Sequence, residues 1–180
     1  MSGRSDVQAI TISDEVVADA DFIVTAARPN TTATLANTSF ASGGARLLSV
    51  TTAGTSDNGK TTTITGTDTH GNSISEVITS TGSAEAVDGA KYFKTVTSVV
   101  CSAQYAGNIT VGSQAGAAQA VFTERMRLKG FSLVSGGTAG VIQFYNNTPE
   151  DGSVLFKSRT VGTDNTTVDR TIPEDGILFP

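Results

Sequence analysis

Threonine decides what this chain can become. It occurs 28 times, with 18 serines beside it, so about a quarter of the 180 residues carry an aliphatic hydroxyl. Threonine is branched at Cβ, loses rotamer freedom in a helix, and packs well on a pleated strand. Helical surfaces are normally covered by Glu, Lys, Arg and Ala, whereas only 16% of this chain is charged. With 19 Gly and 4 Pro to mark turns, the sequence specifies an all-β protein of many short strands and argues against a helix bundle. A net charge of -5 argues against a general nucleic-acid binder. One His, one Cys and no Trp leave little material for catalysis. Neither enzymatic activity nor a cofactor is expected.

Context is read from what the chain lacks. Residues 1–20 contain one Arg and no apolar run long enough for the core of a secretion signal. No stretch approaches the roughly twenty apolar residues of a membrane span. Cys101 is the sole cysteine, so no intrachain disulfide can form. The expectation is a soluble protein made in a cytosol, with no membrane partner.

The chain divides into parts by composition. Residues 1–45 read as an extended arm, with short apolar runs broken by Asp14, Glu15, Asp19 and Asp21 and a Thr/Ala/Asn/Ser/Gly stretch from Pro29 to Gly44. Such a piece buries too little apolar area to offset its own ordering entropy, so it should gain structure on its own sheets or on a neighbouring subunit. Residues 46–112 read as a compact β-sandwich. Its strands are expected at 46–53, 60–68, 73–80, 91–102 and 109–111, with turns at Gly54–Gly59, Thr69–Asn72 and Ala106–Asn108. Residues 113–123, rich in Gly, Ala and Gln, read as a linker. Residues 124–180 read as a second β unit, with strands at 125–134, 141–145, 154–159, 167–172 and 177–179.

Gly54-Thr55-Ser56-Asp57-Asn58-Gly59-Lys60-Thr61 matches the phosphate-binding P-loop pattern letter for letter. That loop works only where a helix starts at its Lys-Thr and aims backbone amides at phosphate. Here Thr61-Thr62-Thr63-Ile64-Thr65 follows, a β-branched run, so the segment is expected to be a hairpin turn with Asp57-Asn58-Gly59 at its tip. His70 sits in a turn, and Asp68, two residues away, lies along the same loop instead of forming a pocket with an orienting carboxylate, so an exposed turn histidine is expected. A metal centre would need more nitrogen or sulfur ligands than the chain owns, and no EF-hand spacing exists. Ser135-Gly136-Gly137-Thr138-Ala139-Gly140 is Gly-rich but joins two strands. Arg125 and Arg127 alternate with Met126 and Leu128, leaving one face of a strand. They could be a solvated edge or a basic row that meets the acidic arm of another copy.

The middle module resembles an Ig-type domain common in tailed-phage and prophage virion proteins. The resemblance is carried by Arg46–Gly54, Gly59-Lys60-Thr61, Thr63–Asp68, Gly71–Glu76, Tyr92–Ser98 and Ala106–Gly112. Arg127–Gly130 and Ser135–Gly140 are similar to segments of phage structural proteins. The resemblance implies a virion component without catalytic residues, most simply a capsid decoration (cement) protein. Its partners would be the major capsid protein or other virion proteins and further copies of itself, expected as a trimer. The arm would anchor through Ile10, Ile12, Val16, Val17, Phe22 and Val24, with Arg125 and Arg127 as a second contact. Two alternatives stand beside it. One is a neck, tail or fibre component of the virion. The other is a carbohydrate-binding surface module, in which Tyr92, Tyr105 or Tyr145 would have to supply the stacking ring.

Overall fold

The computed structural model describes residues 11, 18–40, 44–82, 84–121, 125–149, 151–163, 166–173 and 175–180. Every regular element among them is a strand, and every strand pair is antiparallel. The chain forms two units, Met1–Val121 and Phe122–Pro180. The first contains β1 (Asp19–Ala27), β2 (Ala45–Thr52), β3 (Thr61–Thr67), β4 (Ser73–Thr79), β5 (Ala86–Phe93), β6 (Thr95–Cys101) and β7 (Ile109–Ala118). The second contains β8 (Met126–Leu128), β9 (Gly130–Val134), β10 (Val141–Tyr145), β11 (Val154–Arg159), β12 (Thr167–Thr171) and β13 (Ile177–Phe179).

The first unit is a sandwich of two sheets, ordered β1-β7-β2-β5 and β4-β3-β6. Both feed one core. Ile23, Val24, Leu48, Val50, Phe93 and Val111 come from the first sheet, and Ile64, Ile78, Val96 and Val99 from the second. β3 shows how the threonines serve this arrangement. Thr62, Ile64 and Gly66 face inward, while Thr61, Thr63, Thr65 and Thr67 alternate with them on the outer side, the period of two that a strand imposes.

Counting the seven strands in chain order, the second pairs with the fifth and the third with the sixth, as in the immunoglobulin plan. The last strand departs from that plan. β7 lies between β1 and β2 instead of beside β6.

The open edge of β6 is taken by part of the expected arm. After β1 and Pro29, the chain crosses to the second sheet. The Ala33 amide donates to Val99 O at 2.9 Å, and the Val96 amide to Thr38 O at 2.9 Å. Bridges at Thr32–Val100 and Ser39–Thr95 mark the same contact. The chain then returns to the core at Phe40, whose ring stacks on Phe22 at 5.1 Å. Residues 19–40 are therefore built into the sandwich of their own chain. Of the expected anchors, Val24 is fully buried and Phe22 packs against that same core. Both side chains thus pack on the core of their own unit. Ile10, Ile12, Val16 and Val17 lie outside the described residues.

Several boundaries differ from the sequence reading, among them the start of β5 at Ala86 instead of Lys91. The single strand expected over 91–102 is two strands on opposite sheets, because the chain changes sheet at Lys94, whose amide donates to Thr67 O at 2.7 Å. The strand expected over 125–134 is likewise divided at Lys129 into β8 and β9. Ser113–Ala118, read as linker, belongs to β7, where Ala117 and Ala118 pair with Arg46 and Ala45.

Small residues along β7 make room for neighbours. Gly112 is the sharpest case: a Cβ there would overlap the backbone of Asp19 and Ala20, where β1 crosses β7 at a register shift.

The second unit holds three two-stranded ladders, β10-β11, β12-β9 and β13-β8. Phe131, Phe144 and Phe156 meet with centroids 5.3 to 6.1 Å apart. Such spacings suit edge-to-face and tilted rings. Phe179 is buried.

Because β1 brings two fully buried aliphatic side chains, Ile23 and Val24, its docking is worth about 3–6 kcal/mol of burial. Gly112→Val should push β1 off β7 and lower the unfolding free energy by roughly 3 kcal/mol or more. Ser113→Ala, which removes one long contact to the Asp19 amide (3.3 Å), should cost under about 1 kcal/mol. Urea denaturation of the two variants provides the comparison, and equal stabilities would contradict this account of β1.

Candidate functional site

The P-loop-like segment is the place where the sequence most invites chemistry. In the structure β2 ends at Thr52 and Thr61 opens β3 directly, with no helix between. Gly59 takes the left-handed conformation, φ +79°, which glycine adopts without a Cβ penalty. Its amide donates to Ser80 O at 2.9 Å. The loop turns at Gly59, but it closes no hairpin: β2 and β3 lie in different sheets, so it carries the chain from one sheet to the other. It also lacks the strand–loop–helix frame that would gather amides around a phosphate.

Its lysine is already engaged. Lys60 Nζ donates to Asp57 Oδ1 at 2.8 Å and to Gln104 O at 2.6 Å, and lies 5.5 Å from the Tyr105 ring centroid. Asp57 is fully buried, and its Oδ1 also accepts from the Ala106 amide at 2.7 Å. Burial by itself raises the Asp57 pKa. The Lys60 ammonium and the Ala106 and Gly107 amides outweigh it and hold the carboxyl below its ordinary value near 3.8.

Tyr105 lies beneath this pair, fully buried, its hydroxyl 2.8 Å from Thr62 Oγ1. Arg28 Nε donates to Tyr105 O at 2.7 Å. Burial raises the pKa of Tyr105 and of Cys101, which packs against it. Tyr105 is therefore no stacking platform for a sugar, which removes it from the carbohydrate alternative. Its ring is a wedge between the 54–61 loop and the 101–109 turn.

Two more carboxylates are used in the same way. Asp68, almost fully buried, accepts from the His70 amide at 2.8 Å, the Asn72 amide at 2.8 Å and Asn72 Nδ2 at 2.9 Å. It thereby shapes the β3–β4 turn. Burial raises its pKa, and the Asn72 and His70 hydrogen bonds outweigh that and bring it below the ordinary value. His70 is exposed in this turn, with Nδ1 3.1 Å from Thr69 Oγ1. Glu76 reaches from β4 to the other sheet, where it accepts from the amides of Ala90 (2.6 Å) and Lys91 (3.3 Å). Those amides belong to the bulge where β5 slips against β2, between Tyr92 and Asp88. A bulge leaves amides without ladder partners, and the carboxylate supplies them.

Arg125 and Arg127 are exposed, with Met126 and Leu128 half-buried between and after them. Arg127 lies on β8, whereas Arg125 precedes the strand. Arg127 Nη1 reaches Asp175 O at 3.4 Å. Among the described residues, no group of three or more His, Cys, Asp or Glu could hold a metal ion, and no helix is long and apolar enough to cross a membrane.

Sequence reasoning missed the bracing roles of Arg28, Asp57, Glu76, Gln104 and Tyr105. Only one signal was available to it, the Asp-x-x-Lys spacing across the 57–60 turn. Comparison of the chain with family models, curated proteins and solved structures found no match.

Both Asp57 and Asp68 have folded-state pKa values below the ordinary carboxylate value. Their contribution to stability is therefore complete above about pH 4.5 and is lost as the pH falls through the lower folded values. Stability should hold steady down to roughly pH 4.5 and then decline. In Asp68→Asn the decline should be shallower, as followed by the urea midpoint against pH. An unchanged acid slope would show that the carboxylate is not held as described. Separately, Lys60→Ala leaves Asp57 buried with one fewer partner and should cost about 1–3 kcal/mol, measured by thermal or denaturant unfolding.

Proposed function

We propose that this chain is a non-enzymatic building block of a tailed-phage virion, a decoration protein that reinforces the head by contacts with the major capsid protein. The observation that carries this reading is where four charged side chains go. Asp57, Lys60, Asp68 and Glu76 all bind main-chain groups of their own unit. What would be reactive in an enzyme is spent on holding backbone. Outward lie hydroxyl-rich strands and few charges, the surface of a part used in many symmetric copies. The virion resemblance of residues 46–112 points the same way.

Phe22 and Val24 belong to the sandwich, so anchoring on the capsid falls to residues before Asp19, with Arg125 and Arg127 as an exposed basic contact. A chain lacking residues 2–17 keeps β1, and should fold with unchanged stability while losing most of its capsid occupancy. Purified particles incubated with the full and shortened chains, then quantified by mass spectrometry, provide the test. Hundreds of copies per particle fit decoration of a shell, whereas about a dozen would make the chain a neck or tail part instead. A chain that never sediments with particles is not a virion protein.

A further inference from the structure

The outward side of the β4-β3-β6 sheet differs from an ordinary solvated face. Eleven outward positions follow from the registers of the three strands, and all are Thr, Ser or Val. A solvent-facing surface is about 25–35% charged, so roughly three of the eleven should be ionic. None is. The one carboxylate on these strands, Glu76, lies opposite Ile64 on the inner side and is engaged with β5.

Several hydroxyls on this side of the sheet are already engaged within it. Thr67 Oγ1 lies 2.7 Å from Thr95 Oγ1, Ser75 Oγ donates to Ile64 O at 3.2 Å, and Thr97 Oγ1 donates to Thr65 O at 3.1 Å. Covering them would therefore not strand these polar groups. Across the middle runs an apolar row. Val77 and Val100 both pair with Thr63 from its two sides, and they remain 58% and 39% exposed.

We propose that this face is a self-association surface, occupied by the same face of a second copy. Two observations favour a copy over another partner. Across a two-fold axis a face meets itself, so any charge would meet its own image or need a precisely placed counter-charge. A face without charge meets that condition in a chain of net charge -5. An axis in the plane of the face, running along β3, also sets Val77 of one copy over Val100 of the other, and the reverse, with the sheets packed aligned.

The area sets the strength. Three strands and the 31–39 segment span about 19 Å, and seven residues about 23 Å, giving about 440 Å² per copy and roughly 900 Å² in all. That falls just short of the ~1,000 Å² expected of a stable interface. The dimer is weak, and forms where copies are concentrated. The surface does not depend on the virion reading.

The full chain should show a monomer–dimer equilibrium by analytical ultracentrifugation between about 5 and 500 µM. Val77→Lys should raise the dimer Kd by about tenfold or more, since each dimer would bury two unpaired ammonium groups. At an exposed position it should leave the thermal midpoint in place. Val134→Lys, at a 67% exposed site in the second unit, should leave the Kd unchanged. In a Val77→Cys, Val100→Cys double variant, β3 separates the two positions by about 9.6 Å, beyond the ~7 Å that a disulfide within one copy spans. Oxidation should therefore give covalent dimers. A wild-type chain that stays monomeric at the highest concentration overturns the proposal. So does an oligomer, trimers included, whose mass Val77→Lys does not alter, or a double variant that oxidises to no dimer.

Discussion

An unpaired sheet edge is a row of donors and acceptors waiting for a partner, and the first unit is organised around closing two such edges with one stretch of chain. β1 completes the ladder beside β7, and the residues after Pro29 cross over to β6. The same stretch delivers Phe22, Ile23, Val24 and Phe40 to the core between the sheets. Hydrogen bonding and apolar burial are thus satisfied by a single excursion. At β5 the closure is different in kind. There the ladder slips, and the Glu76 carboxylate satisfies the bulge amides from the facing sheet. The sandwich is joined on one side by chain and on the other by a side chain.

The class of fold was legible from threonine and alternation because strand period and β-branching are local properties. The hairpin turn at Thr69–Asn72 was legible for the same reason, being decided by a few adjacent residues. At Asp57–Gly59 a turn was legible, but not that it links two sheets instead of closing a hairpin. Sheet membership was not. Lys91 to Ser102 looks continuous in sequence, yet it splits at Lys94 because the two halves bury their apolar side chains from opposite sheets. Nothing within that segment encodes which sheet each half joins.

The misreading of Ser113–Ala118 has a more general cause. Gly and Ala are written into loops for freedom, but also into strands where another backbone or a large side chain comes close. Gly112 faces the backbone of β1, and Gly116 sits under Leu47 and Tyr92. From sequence alone the two uses look the same. The bracing cluster around Asp57 was hidden similarly, since Gln104, Tyr105 and Ala106 lie more than forty residues from the loop they hold. What the sequence did disclose there was the absence of a helix after Lys60.

The position of β7 governs how the unit can be made. It is the last strand of its unit to be synthesised, yet it sits between β1 and β2, and the Asp19 amide finds Ser113 across 94 residues. A nascent chain emerging from the ribosome cannot close this sheet until nearly the whole unit is out, so Ile23 and Val24 must wait with their apolar side chains uncovered. Pairings of such separation fold slowly and are exposed to misassembly while they wait. For the cell that makes it, the vulnerable period of this protein is therefore set by where one late strand is inserted.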